Sequence, residues 1–261
     1  MEKISVITIC FNAETEIEKT IQSILAQSYS NIEYIIIDGN SKDNTVNIIK
    51  KYADRISHWV SEPDKGIYDA MNKGIDLVSG EWIIFMNAGD VFYNDHVLDD
   101  IFKQEYSANI AVIYGDVEIC FGNAGKLIKS VKRLRLPELL HGICHQASAT
   151  RASILKQIKY DISYKIMADI NSFKEIYNKG YDFVYIPKVF ATFQSGGVSS
   201  TNSFLLLNES SKIFGVKKIS ISYLKGYCTA LYKYILLKIL PYSIYNKIRY
   251  KKVSSIQKYK P

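Results

Sequence analysis

The sequence predicts an α/β fold: a mostly parallel sheet with helices on both faces, followed by a basic, amphipathic helical tail. Three observations predict it. Short β-branched runs alternate with segments of helical spacing through roughly the first 115 residues, the pattern of strands joined by crossover helices. The runs are apolar throughout rather than alternating, as strands covered on both faces are. Charge is uneven: from Gly215 to Pro261 there are eleven Lys or Arg and no acid, and the preceding residues hold 22 basic and 26 acidic side chains. The net charge of +7 therefore belongs to the tail and not to the fold.

The elements follow in order. Ile4 to Cys10 (ISVITIC) reads as a buried strand. Thr15 and Glu18 have capping-box spacing, and Ile17, Ile21, Ile24 and Leu25 continue at helical intervals. Tyr34 to Asp38 (YIIID) is a second strand, broken by Gly39-Asn40-Ser41, with Ser41 placed to start a helix carrying Val46 and Ile49. Ile56 to Val60 is a third strand, Asp69 to Leu77 a helix and Glu81 to Met86 a fourth strand. Val97, Leu98, Ile101 and Phe102 mark another helix, and Asn109 to Tyr114 another strand. Beyond Tyr114 the pattern is less regular. Asp116 to Phe121 and Leu127 to Val131 suit a hairpin, residues 169–179 a helix, and Phe183 to Phe193 short strands around Pro187.

With 261 residues and 48% hydrophobic content, the chain can build a sizeable core, and global disorder is excluded. The division expected is 1–205 for the α/β domain, itself split at 115/116, and 206–261 for the tail. Cys10, Cys120, Cys144 and Cys228 form no CxxC pair, which suits reduced thiols in a cytosolic protein. The start runs directly into a strand-like segment, so no secretory leader is expected.

Sheets of this kind bind ligands outside the carboxyl ends of their strands. The polar residues gather there: Asn12, Asp38 to Ser41, Asp64 and Asn87 to Asp90. By themselves, those that end the first two strands read first as an ordinary strand-to-helix turn with Ser41 as cap. The alternative is a nucleotide, which needs a rim of backbone groups and an acceptor for base and ribose; Thr8, Ile9, Phe11, Asn12, Asp38, Asn40 and Ser41 can supply them. Asp69 and Asn72 lie three apart, on one helix face. Neither a GxGxxG after the first strand nor a Walker loop is present.

These pieces, SVITICFN at 5–12, SILAQSYSNIEYIIIDGNSKD at 23–43, EPDKGIYDAMNKGIDLVSGEWIIFMNAGD at 62–90, YGD at 114–116, HGICHQA at 141–147, YDISYKIMAD at 160–169 and GGVS at 196–199, resemble family 2 glycosyltransferases of the GT-A fold. The likeness is to the non-processive enzymes of bacterial polysaccharide assembly, and it covers roughly the first 200 residues. It implies an inverting transfer of one sugar from a UDP-sugar to a saccharide acceptor. Uracil and ribose would lie against the ends of the first two strands, with Asp38 alone serving because Gly39 stands where the family often has a second acid. Asp64, Lys65, Gly66, Asp69 and Asn72 would line the donor pocket. Asn87, Ala88, Gly89 and Asp90 occupy the place of the family's acidic metal motif. Asp90, with Asn87 as a neutral oxygen donor, would hold Mn²⁺ or Mg²⁺ weakly, the ion arriving with the nucleotide. The resemblance makes Asp169 the catalytic base, with Asp161 its nearest competitor and a helix N-cap its structural alternative. It sets His145 and Gln146 against diphosphate or acceptor, and 196–199 as a loop closing the site. His141 and His145 have the four-residue spacing of a zinc pair on a helix, but Gly142 lies between them and no fourth ligand is near.

The tail mixes Lys225, Lys233 and Lys238 with apolar and aromatic residues over 223–240. That charge argues against a span and for an interfacial helix. Docking of 215–261 on an anionic membrane surface fits a lipid-linked acceptor, with the protein cytoplasmic and peripheral. A solvated face, an oligomer interface and nucleic acid are the competing readings, nucleic acid the weakest because no recognition module accompanies the charge. Two other functions compete: a sugar nucleotidyltransferase, and a catalytically silent nucleotide-sugar-binding scaffold.

Overall fold

The computed structural model describes residues 1–129, 142–197 and 201–258. They group into two compact units, Met1–Val117 with Ser130–Thr192, and Glu118–Lys129 with Phe193–Pro261. This division does not run at residue 205; it assigns the 118–129 segment and the end of the last strand to the unit that carries the tail.

The first unit opens with β1 (Ile4–Cys10), α1 (Ile17–Leu25), β2 (Ile32–Asp38), α2 (Thr45–Lys50) and β3 (His58–Ser61), then α3 (Ile67–Leu77) and β4 (Trp82–Phe85). It continues through β5 (Val91–Phe92), α4 (Val97–Phe102) and β6 (Ile110–Cys120), which runs on into the second unit. After β7 (Lys126–Lys129) of the second unit come β8 (Ser148–Arg151), α5 (Ala152–Ile158), α6 (Ala168–Asn178) and β9 (Asp182–Gln194). The strand order is β3-β2-β1-β4-β8-β6-β9-β5, with β7 pairing β6 off that path. Pairings from β3 to β4 are parallel; β8 is antiparallel to both β4 and β6, and β5 to β9. Every residue of β1 is buried, as are Tyr34 to Asp38 of β2 and all of β4, so the β-branched runs form the centre of the core.

Several local expectations are corrected. Thr15 and Glu18 form no capping box: α1 begins at Ile17, its N-cap Glu16 makes no side-chain cap bond, and a backbone turn from Ala13 leads in. Ser41 does not start a helix, because its hydroxyl is engaged with Asp38 and with the Asn12 amide; α2 starts at Thr45. The two strands expected on either side of Gly115 are one, β6. Pro187 does not divide β9, whose pairing with β5 is confined to Ala191 and Thr192. Val131, the end of the expected hairpin, lies outside the described residues.

The second unit holds the β6–β7 hairpin and three helices, α7 (Ser203–Phe214), α8 (Ile221–Ile239) and α9 (Tyr242–Lys258). Phe204 of α7 meets Tyr227 and Tyr234 of α8 at 5.3 and 6.0 Å between ring centroids. Tyr250 of α9 packs edge-on against Phe121, and the Arg249 guanidinium lies 5.6 Å from that ring. No helix among the described residues is long and apolar enough to cross a membrane.

Candidate active site

Parallel pairing brings the ends of β1, β2 and β4 together. Gly39 donates to the Cys10 carbonyl and Ala88 to the Ile9 carbonyl, so the 38–41 turn and the 87–90 loop flank the end of β1. The φ angles of Asn12 (47°) and Asn40 (65°) are left-handed, a region asparagine tolerates better than most residues. The two turns are stitched together: Ser41 Oγ accepts from the Asn12 amide at 2.8 Å, and Asn12 Oδ1 accepts from the Lys42 amide at 2.9 Å. Phe11 between them is 61% exposed.

The expected donor residues divide by what they touch. Thr8 is fully buried, donating to the Met86 carbonyl and meeting the Tyr34 hydroxyl; it braces the sheet below the rim. Asp38 is also fully buried. Its carboxylate accepts from the Ser41 amide and hydroxyl, from Ser61 Oγ at 2.6 Å and from the Cys10 thiol at 3.6 Å. It shapes the turn that carries Asn40 and Ser41. Asn72 clamps both backbone groups of Tyr160, at 2.8 and 2.9 Å. Asp64 receives the Gly66 amide and Asp69 the Lys65 amide, which folds the loop before α3. Gly66 has φ 124°, a conformation glycine adopts without strain. Lys65, Gly66 and Asp69, with Tyr68 and Tyr164, line a cleft of about 70 Å³.

Gly39 has a reason in the packing. A Cβ there would stand 2.5 Å from Asp64 Oδ2 and 3.3 Å from the Phe11 ring. The space a second acid at position 39 would need is taken by the Asp64 carboxylate.

On the other side, Asp169 is 8% exposed and is the second residue of α6. The N-cap is Met167, without a side-chain cap bond, so capping does not account for the acid. Tyr68 OH donates to Asp169 Oδ1 at 3.2 Å, and the Ile170 amide donates to the same oxygen at 2.9 Å. His145 Nδ1 lies 3.1 Å from Oδ2 and donates to that carboxylate, and in the neutral tautomer this requires, Nε2 accepts from Asn87 Nδ2 at 3.1 Å. A chain of side chains thus links the 87–90 loop to Asp169. Burial alone would lower the His145 pKa, but the hydrogen bond to Asp169, its charge and that of Asp90 raise it. Asp161 is exposed and closes a turn by accepting from the Ser163 amide.

In the 87–90 loop, Gly89 N donates to Thr20 Oγ1, which in turn donates to the Asp90 carbonyl. Burial pushes the Asp90 carboxyl up to about 6, against the opposing pull of His145, a Gln146 hydrogen bond and Lys19. Asn87 Oδ1 is buried and has no hydrogen-bond partner, a costly arrangement for an amide oxygen. Together they present a carboxyl raised by burial and an orphaned neutral oxygen in one loop. That donor chemistry fits a hard cation whose other ligands come from elsewhere. No group of three His, Cys, Asp or Glu able to hold a metal occurs among the described residues, and His141, the other half of the zinc spacing, lies outside them, as do Val198 and Ser199 of the 196–199 loop.

Residues 5–159, more than half of the chain, match the model of the family described as Glycosyl transferase family 2. The chain belongs to that family. An uncharacterized glycosyltransferase of Mycobacterium tuberculosis is 34% identical over 177 residues, 64% of this chain; the match spans 65% of that relative's length. A PGL/p-HBAD biosynthesis glycosyltransferase of Mycobacterium bovis is 28% identical over 210 residues, 76% of this chain and 79% of the relative. Among solved structures, S. aureus TarS in complex with UDP-GlcNAc superposes with a TM-score of 0.67 at 16% identity, covering 95% of this chain and 79% of that one. The Pyrobaculum calidifontis mannosyltransferase PcManGT, crystallised with GDP-Man and Mn²⁺, gives 0.65 at 14% identity, covering 98% and 75%. These likenesses show the GT-A fold of this family 2 member. Within that fold, sequence reasoning passed over Tyr68, Thr20 and Ser61; their neighbours in the sequence (Asp69 in the GIYDAMNKG motif above all) were the only signal for them.

Proposed function

We propose that this chain is an inverting hexosyltransferase that moves one sugar from a UDP-sugar to a saccharide acceptor in cell-surface polysaccharide biosynthesis. The observation that carries this reading is the buried Asp169 carboxylate, held by Tyr68 and His145 and connected through His145 to Asn87. Among the described residues, Oδ1 of Asp169 already accepts two hydrogen bonds and Oδ2 one. A lone pair of Oδ2 is therefore available to an acceptor hydroxyl. As that hydroxyl oxygen bonds to the anomeric carbon, its proton passes to Asp169 and the bond from the anomeric carbon to the diphosphate breaks. His145 and Tyr68 fix the carboxylate and stabilise its charge before the transfer. A divalent ion held by Asp90 and Asn87 Oδ1 would neutralise the departing diphosphate. The TarS complex with UDP-GlcNAc and the complex of Mycobacterium tuberculosis glucosyl-3-phosphoglycerate synthase with Mn²⁺ and UDP support the choice of UDP and of a metal. The rim of Ile9, Phe11, Asn12, Asn40 and Ser41, with Asp64 filling the space beside Gly39, would receive the nucleoside, and Lys65, Gly66, Asp69, Ala88, Gly89 and Gln146 would border the donor.

The tail supports a peripheral, membrane-docked cytoplasmic enzyme with a lipid-linked acceptor. On α8, Ile221, Leu224, Leu231, Ile235 and Ile239 share one exposed face by helical spacing, opposite the buried Ala230. Lys225 and Lys238 flank it, the composition of an interfacial helix. Leu231→Asp should lower binding to anionic vesicles while leaving binding to UDP unchanged.

Calorimetry with UDP, GDP, CDP and dTDP, each with and without Mn²⁺, tests the donor site. UDP binding that strengthens with Mn²⁺ is expected. UDP binding indifferent to the metal would remove the role given to Asp90, and binding of none of the four would leave the silent scaffold as the better reading.

A further inference from the structure

The second unit contains a cleft of about 430 Å³, lined by Phe121 and by residues outside the candidate active site. Its floor and walls come from the hairpin loop, the end of β9 and the first turns of α9. Ser243, Asn246 and Lys247 fall at intervals of three and four on α9, so they present one helix face to it. Across from them stand Asn123, Gln194 and Ser195. Tyr242, a residue 41% exposed, lines the same space; its hydroxyl donates to the Ser195 carbonyl at 3.0 Å, and Arg249 holds the Ser195 hydroxyl at 2.7 Å. The hairpin, the strand end and the helix are thereby tied around the opening.

Asn246 is the decisive residue. It is 6% exposed, lines the cleft, and its Oδ1 is buried without a hydrogen-bond partner. A buried amide oxygen in that state destabilises the fold, and the side-chain nitrogen of Asn246, which bonds to no described residue, is the group left to meet what enters the cleft. The lining shows what that is. It contains no carboxylate, which argues against a metal ion or a polyamine. An acyl chain would cover the polar side chains of Asn123, Gln194, Ser243 and Asn246 without pairing them. Amide side chains offer donors and acceptors together, as paired sugar hydroxyls do, and an exposed tyrosine ring suits the apolar face of a pyranose. A concave site with a few convergent polar groups around aromatic rings, here Phe121 and Tyr242, is the general form of a small-ligand pocket.

We propose that this cleft binds an oligosaccharide, with Asn246 as the buried hydrogen-bonding anchor, Tyr242 as the stacking surface and Lys247 at the rim, where it would favour an acidic sugar. That the bound glycan is the acceptor or product of transfer rests on the proposed function; the existence of the site does not.

The test is saturation-transfer difference NMR on the full chain with maltotetraose and tri-galacturonate as probes, alongside UDP calorimetry. The wild type should transfer saturation to at least one probe. Asn246→Leu removes a buried group without a partner, so its melting temperature should not fall. It should weaken the oligosaccharide by about tenfold or more and leave UDP affinity unchanged. Ser243 is exposed, so Ser243→Leu narrows the same cleft without disturbing packing and should weaken the probe likewise. Transfer to neither probe, or equal affinity in wild type and both variants with the cleft holding only water, would overturn the site. Retained UDP binding in that case would leave the glycosyltransferase reading intact, whereas lost UDP binding with retained oligosaccharide binding would do the reverse.

Discussion

Asp38 and Asp169 are two buried acids of the same unit, each beside the end of a secondary-structure element, and they are satisfied in opposite ways. Asp38 receives the backbone and hydroxyl of Ser41, the hydroxyl of Ser61 and the thiol of Cys10. All these donors come from the turn and strands it joins, and the result is a fixed loop. Asp169 receives the side chains of Tyr68 and His145, carried by α3 and by the segment before β8. Only one of its bonds, to the Ile170 amide, is local. An acid enclosed by its own turn is architecture. An acid approached from distant parts of the chain by side chains that donate hydrogen bonds is the one proposed as the base.

Breaking the first acid should have the largest effect on stability. Asp38→Ala leaves buried donors unpaired and should cost about 3–5 kcal/mol, read by chemical denaturation. A loss below about 1 kcal/mol would remove the distinction drawn between the two acids. Glu33 offers a second architectural acid. It is 3% exposed and accepts from Ser5, Ser79 and Lys3. Burial raises its pKa, but these hydrogen bonds outweigh burial and hold it down at about 2 from an ordinary 4.5. Because the folded pKa is depressed, its contribution is complete above about 4.5 and fades as pH falls toward 2. Glu33→Gln should cost about 2 kcal/mol at pH 7, and the gap to wild type should shrink in denaturation at pH 3. A gap that widens on acidification would contradict the assignment. Tyr68→Phe should be the mildest change. It removes one of the donors to Asp169 and should slow sugar transfer by about tenfold or less, with stability within about 1 kcal/mol of wild type.

The same contrast explains what could be read from the sequence. The runs ISVITIC and YIIID announce β1 and β2 because strands covered on both faces need continuous apolar side chains. The GT-A resemblance rests on the same region. Strand β8 was not legible: Ser-Ala-Thr-Arg has no apolar run, yet it lies between β4 and β6. Its Ser148 and Thr150 are buried, and Arg151 stacks 4.4 Å from the Trp82 ring while bonding to the Ile110 and Ser107 carbonyls. In the site, the polar positions at the strand ends were legible as positions. Their partners were not. Thr8, Asp38 and Asn72 look the same in sequence as Asn87 and Asp169, but their hydrogen bonds go to their own framework. A linear pattern does not reveal whether a polar side chain at a strand end closes a turn or faces a ligand.

The measurement that bears most directly on the central claim pairs UDP affinity with UDP release from UDP-sugars in wild type and Asp169→Asn. The amide keeps the size of the carboxylate and removes its capacity to take a proton. Turnover should fall by about 10²–10⁴-fold while the UDP dissociation constant changes little. Turnover equal to wild type, or turnover and UDP binding lost together, would contradict the assignment of Asp169 as the base.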